Sequence, residues 1–169
     1  MFSGKSDVLI KAIKRLILSK GGDEIIVFKP SIDTRQNNIL SRTGANIPAI
    51  SIDYPIEAVG YIKEETVVCF DEVQFFDDSI VKIIEELIKE GKTVICSGLD
   101  LNSNGQPFGP MPKLLAFADK VRKLKAVCEI CKEDATRTYK TSGSDKLIEV
   151  GSDIYIPLCN KCFYKKFKG

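Results

Sequence analysis

Two adjacent acids close an apolar run, Val67-Val68-Cys69-Phe70 ending in Asp71-Glu72. Such a run reads as a buried parallel strand that delivers carboxylates to its carboxyl end, where open α/β sheets place their ligands. Near the N-terminus, Ser3-Gly4-Lys5-Ser6 matches the last part of G-x-x-x-x-G-K-[ST], in which backbone amides and a lysine hold phosphates and a hydroxyl reaches Mg²⁺. A phosphate-loop enzyme needs one carboxylate for the magnesium shell at the end of a neighbouring strand, and Asp71 stands where that acid belongs. Glu72 is then free to take the proton of an attacking alcohol, general-base work worth ~10²–10⁴ in rate. An acidic pair alone would read as a solvated strand end. The Gly-Lys-Ser turn and the helix after it favour a site.

Cysteines give the second signal. Cys128-x-x-Cys131 and Cys159-x-x-Cys162 form two knuckles, and four thiolates suit a closed, tetrahedral, structural Zn²⁺ site. With no valence open for substrate, such a metal pins the ends of residues 132 to 158 together. The other two of the six cysteines, Cys69 and Cys96, lie in apolar strands and read as packing residues. Asp33 and Arg35 could reach phosphates from a polar loop, although a surface ion pair is the plainer reading. Phe75 and Phe76, just after the acids, could wall a slot for a flat base or simply join the core. Tyr155 reads more readily as a hairpin aromatic than as a substrate contact.

The elements that must position these groups follow from periodicity. Val8, Leu9, Ala12, Ile13, Leu16 and Ile17 recur at helical spacing up to Gly21-Gly22. Glu24 to Phe28 predicts a strand closed by Lys29-Pro30, followed by a polar loop through Asp33 and on to Gly44. Ile47 to Ile52 predicts another strand and Pro55 to Ile62 a short helix. Asp78-Ser79 predicts the cap of a helix stopped at Gly91, Thr93 to Cys96 a buried strand, and Met111 to Phe117 a helix. Alternating strands and helices imply a parallel, three-layered sheet. The texture changes near Ala126. The expected fold is therefore α/β, with a P-loop (RecA-like) parallel-sheet domain over residues 1–126 and a small C-terminal zinc-binding lasso domain over residues 127–169.

The totals narrow the class. A chain of 169 residues that is 44% hydrophobic and 28% charged is ordinary for a globular protein and argues against disorder. A net charge of +2 does not call for nucleic acid, and the basic stretch Lys161 to Lys168 reads as a solvated tail. No apolar run approaches the roughly 20 residues that span a bilayer, and no signal-peptide pattern precedes the first helix, so a cytoplasmic protein is expected.

Taken together, the pattern resembles the type II, zinc-containing thymidine kinases. The residues that carry it are Met1-Phe2-Ser3-Gly4-Lys5-Ser6, Lys29-Pro30 with Asp33-Thr34-Arg35, Asp71 to Phe76, Gly98-Leu99-Asp100, Pro107-Phe108-Gly109, and the paired CxxC motifs with Tyr155 between them. The resemblance implies transfer of the γ-phosphoryl group of ATP to the 5′-hydroxyl of thymidine, and of deoxyuridine, with Mg²⁺ required. It implies that Ser3, Gly4, Lys5 and Ser6, with Asp33, Arg35 and Asp71, hold phosphates and metal, and that Glu72 is the base. It implies that Met1, Phe75, Leu99, Phe108, Thr138 and Tyr155 surround the nucleoside, with the backbone near Val150 bonding the pyrimidine edge. A homotetramer inhibited by thymidine triphosphate is implied too, with no membrane or nucleic-acid partner. It also implies a first strand and a leading Gly-Pro ahead of Met1, and we expect that strand beside Val67–Phe70.

Two other readings use the same residues. One is a P-loop ATPase whose zinc ribbon binds nucleic acid, with Glu72 activating water. The other is a non-catalytic zinc-binding interaction module.

Overall fold

The computed structural model describes residues 2–33, 38–41, 44–142 and 154–167. In chain order its elements are α1 (Lys5–Lys20), β1 (Ile25–Pro30), β2 (Asn38–Leu40), β3 (Asn46–Pro48), β4 (Ile50–Ile52), α2 (Glu57–Tyr61), β5 (Val67–Phe70), α3 (Ser79–Lys89), β6 (Thr93–Cys96), α4 (Met111–Phe117), β7 (Ala126–Val127), β8 (Asp134–Ala135), β9 (Arg137–Lys140), β10 (Tyr155–Leu158) and α5 (Asn160–Phe167). Four strands form one parallel sheet in the order β4-β1-β5-β6. It is the mixed α/β architecture with a parallel sheet that the alternation of elements predicts.

The central strand β5 is apolar throughout because both its faces are covered. Val67 and Cys69 point to one side, where they meet Leu9, Ile10 and Ile13 of α1 together with Val27. Val68 and Phe70 point to the other, against Ile80, Ile83, Ile84 and Leu87 of α3 and Met111 and Leu114 of α4. Period-2 alternation thus splits one strand between two cores. Phe70 is the hub of the second, stacked on Phe28 at 5.4 Å between centroids and meeting Phe76 edge-on at 6.3 Å. Burial pushes the Cys69 thiol up to about 12, with Cys96 and Asp71 adding to it, so Cys69 is a neutral packing group.

Several expectations are corrected. The stretch Ile47 to Ile52 is two strands: β3 pairs antiparallel with β2, and β4 pairs parallel with β1. Pro48 cannot donate to a continuing ladder, so the chain changes sheets there. The preceding polar loop therefore contains a strand, anchored by Ile39 opposite Ile47, both buried on the α1 side. The strand expected to end at Phe28 runs through Pro30. Asp78 is the N-cap of α3 as expected, but its carboxylate makes no capping bond and pairs with Lys113, while the Ser79 amide donates to the Asp77 carboxylate at 2.8 Å. Both edges of β5 are taken, by β1 and β6, so no further strand can lie beside Val67–Phe70. Among the described residues the outer edge of β6 carries no ladder partner, and Cys96, at its end, is exposed rather than packed.

Removing the hub should cost far more than trimming the surface. Phe70→Ala is expected to lower stability by about 3–5 kcal/mol, whereas Leu18→Ala, at a position 89% exposed, should change it by less than about 0.5 kcal/mol. Urea midpoints at unchanged slope measure both, and equal small shifts would contradict the assignment of the core.

Candidate active site and metal centre

The parallel sheet brings the end of β5 to the start of α1. Gly4 precedes the helix with φ 73° and ψ 24°, the left-handed region that glycine enters without steric cost. The Val8 amide closes the first turn on the Gly4 carbonyl at 3.0 Å. Ser3, Gly4, Lys5 and Ser6 thus stand at the positive end of a 16-residue helix, where backbone N–H groups and the macrodipole favour anions.

Lys5 reaches across to the strand end. Its ammonium lies 2.8 Å from Asp71 and 3.1 Å from Glu72. Burial works to lower the Lys5 pKa, but the two carboxylates outweigh it and hold the group above its ordinary value, so the lysine is cationic at any working pH. Asp71 and Glu72 are themselves 4% and 7% exposed. Charges buried this deeply persist only when paired, and the Lys5 ammonium serves both anions. Glu72 also has φ 49° and ψ 40°, a left-handed backbone that costs a side chain about 1–2 kcal/mol. Strain of this kind gathers at functional sites.

Phe75 and Phe108, both expected to line the nucleoside pocket, meet edge-on at 5.6 Å, whereas Phe76 is core. The Leu99 amide donates to the Gln74 side-chain carbonyl at 2.9 Å. Asp33 closes the turn after β1: its amide donates to the Pro30 carbonyl at 3.0 Å, and the fully buried Lys29 donates to its carbonyl at 2.8 Å, with its carboxylate 3.7 Å away. The sequence motifs include Lys29 and Gln74 but assign neither a role. The available signal was a long polar side chain inside an apolar stretch. Met1, Arg35 and Val150 lie outside the described residues.

The four cysteines of the C-terminal region converge. The Sγ atoms of Cys128, Cys131, Cys159 and Cys162 all lie within 4.8 Å of one another, and those of Cys131 and Cys159 are 3.5 Å apart. A tetrahedral Zn–S₄ site with bonds of about 2.3 Å spaces its sulfurs ~3.8 Å apart, so the cluster fits zinc. Against the pull of burial, the backbone amides of Cys131, Cys159 and Ile130 lower Cys128 to about 6, while burial and the other sulfurs push Cys162 up to about 12. Four closely packed cysteine sulfurs are a donor set suited to a soft cation.

Around it a hairpin shows two faces. β9 and β10 pair antiparallel, with Thr138 opposite Pro157 and Lys140 opposite Tyr155. Leu158, Ile156 and Tyr139 pack with Cys128, Cys162 and Phe163 on the metal side, which leaves Thr138 and Tyr155 diagonal neighbours on the opposite face. The two regions touch where Gly105, in the loop after β6, lies so close to the Phe163 ring that an added Cβ would sit 3.0 Å from it.

No helix among the described residues is long and apolar enough to cross a membrane. The family model described as Thymidine kinase matches residues 1–163. A helix N-terminus facing a paired-acid strand end, followed by a four-cysteine cluster, fits that match and its zinc-containing cellular type, and the chain belongs to the thymidine kinase family, a family of kinase enzymes.

Proposed function

We propose that this enzyme transfers the γ-phosphoryl group of ATP to the 5′-hydroxyl of thymidine, and of deoxyuridine, giving the 5′-monophosphate and ADP. The observation that carries the reading is the Lys5 ammonium shared between Asp71 at 2.8 Å and Glu72 at 3.1 Å at the start of α1. A lysine there addresses phosphates. Two carboxylates beside it can divide the remaining work, one toward a metal and one toward the acceptor hydroxyl.

In this reading ATP places its phosphates against the amides of Ser3, Gly4, Lys5 and Ser6, and Lys5 turns from the carboxylates to the β- and γ-phosphates, with Asp33 and Arg35 on the adjoining loop. Mg²⁺, when bound, neutralises phosphate charge, and Asp71 with the Ser6 hydroxyl would hold it. Glu72, relieved of Lys5, accepts the proton of the 5′-hydroxyl as that oxygen bonds to the γ-phosphorus and the bond to the ADP oxygen breaks. Phe75 and Phe108 wall the base on one side with Leu99, and Met1, Thr138 and Tyr155 complete the pocket. Main-chain groups near Val150 pair with the pyrimidine edge. Residues 127–169 then act as a zinc-pinned lasso domain against the phosphate-binding domain of residues 1–126. A cytoplasmic homotetramer, inhibited by thymidine triphosphate, completes the proposal.

Incubation with Mg-ATP alone, with thymidine and with single-stranded DNA tests it. ADP formation that depends on thymidine is expected, whereas stimulation by DNA would favour a nucleic-acid ATPase and silence in all three a binding module. Glu72→Gln should lower kcat by ~10²–10⁴ with ATP affinity largely retained, and comparable turnover would remove the base assignment. Stripping zinc, or Cys128→Ser, should raise the KM for thymidine severalfold while the first domain stays folded by circular dichroism. An unchanged KM in a zinc-free, folded protein would contradict the lasso reading.

A further inference from the structure

Gln74 occupies a position that the phosphate and metal chemistry leaves unexplained. It is 3% exposed, and each end of its side-chain amide is engaged. Its Nε2 donates to Glu72 Oε2 at 2.7 Å, and its Oε1 accepts the Leu99 amide at 2.9 Å. The assignment of N and O follows from the partners, because an ionised carboxylate only accepts and a backbone N–H only donates. Glu72 therefore presents two different oxygens: Oε2 held by Gln74, and Oε1 beside the Lys5 ammonium at 3.1 Å.

The slot around this amide is closed by glycines. A Cβ on Gly98 would lie 2.8 Å from Gln74 Oε1 and 2.9 Å from both Met111 Sδ and Val73 Cγ2, and a Cβ on Gly109 would lie 2.4 Å from the Gln74 carbonyl oxygen. Gly109 also has φ +50°, so both its space and its backbone call for glycine. The Val73 amide donates to the Ser97 carbonyl at 3.0 Å, which ties the same turn to the end of β6. Of side chains of this length, only glutamine can donate to Glu72 and accept from Leu99 without adding charge. Glutamate would set two carboxylates against each other, and methionine would leave the Leu99 amide and Glu72 Oε2 without this partner.

We propose that Gln74 is a positioning residue for the phosphoryl transfer, one that fixes the rotamer of Glu72 and couples it to the Leu99 turn. Held through Oε2, Glu72 turns Oε1 toward the acceptor hydroxyl once Lys5 leaves for the phosphates. Because the far end of the amide is bonded to the turn bearing Leu99, a nucleoside seated against that turn and the proton acceptor are kept in one register. The inference rests on the reading of Glu72 as the general base. The charged groups beside Glu72 include Lys5, from α1, whose ammonium it shares with Asp71.

The test is the dependence of kcat on pH in Gln74→Met and Gln74→Glu, beside Glu72→Gln. An amide donor stabilises the ionised carboxylate, so Gln74→Met should lower kcat roughly tenfold to a hundredfold, leave the KM for ATP within about twofold, and move the acidic limb of the profile to higher pH. Gln74→Glu should move that limb further and regain activity as pH rises, because two adjacent carboxylates retain a proton until then. A purely structural role would lower activity equally at every pH. A Gln74→Met enzyme with unchanged kcat and profile overturns the proposal while an inactive Glu72→Gln leaves the base assignment standing. If Gln74→Met does not fold, an unmoved limb in Gln74→Glu overturns it. Near-normal turnover in Glu72→Gln removes the base assignment and the positioning role with it.

Discussion

One cation shared by two buried anions is the constraint on which the site depends. Lys5 can reach Asp71 and Glu72 only because α1 starts beside the carboxyl end of β5, and it must reach them because neither acid has water enough to stand charged alone. Sheet order, helix placement and the left-handed backbone at Glu72 all serve that contact. In the proposed reaction this contact is the resting arrangement, from which phosphates would draw the Lys5 ammonium away from both acids. Binding energy from the phosphates would thereby prepare the proton acceptor.

The C-terminal region solves a different problem. About forty residues cannot bury much core, and here a four-cysteine cluster that fits zinc and an antiparallel ladder supplement it. The β9-β10 pairing means that the cysteines are not the only tie across residues 132 to 158. That hairpin spends one face on the knuckle and leaves Thr138 and Tyr155 on the other. The Gly105 loop lies against Phe163 and so joins the knuckle to the same β6 loop that carries Leu99.

Much of this was legible in the residues. α1 is announced by its apolar spacing, and β5 by four consecutive residues with nowhere to be but inside. The cysteine pairs were readable because thiolate spacing is local, and the Gly-Lys-Ser turn and the acid pair were readable as one site, whereas the ion pairs that Lys5 makes with Asp71 and Glu72 were not. What escaped depends on distant partners. Ile39 and Leu40 are a brief apolar interruption of a polar stretch until Ile47 lies opposite Ile39. Cys96 looks like core until the sheet order leaves β6 at an edge. Asp78 stands just before α3 as expected, but its carboxylate pairs with Lys113, 35 positions away, and makes no capping bond. Gln74 is ordinary until its two bonds, one to Glu72 and one to a residue 25 positions on, are seen together.

The division of labour between the two acids is the central claim, and nucleotide binding titrated with Mg²⁺ tests it most directly. Calorimetry of ATP binding to Asp71→Asn and Glu72→Gln, each with and without Mg²⁺, should give opposite results. Asp71→Asn is predicted to lose most of the Mg²⁺ enhancement of ATP affinity, and Glu72→Gln to keep it. Equal Mg²⁺ enhancement in the two variants, or its loss in Glu72→Gln alone, would contradict the account.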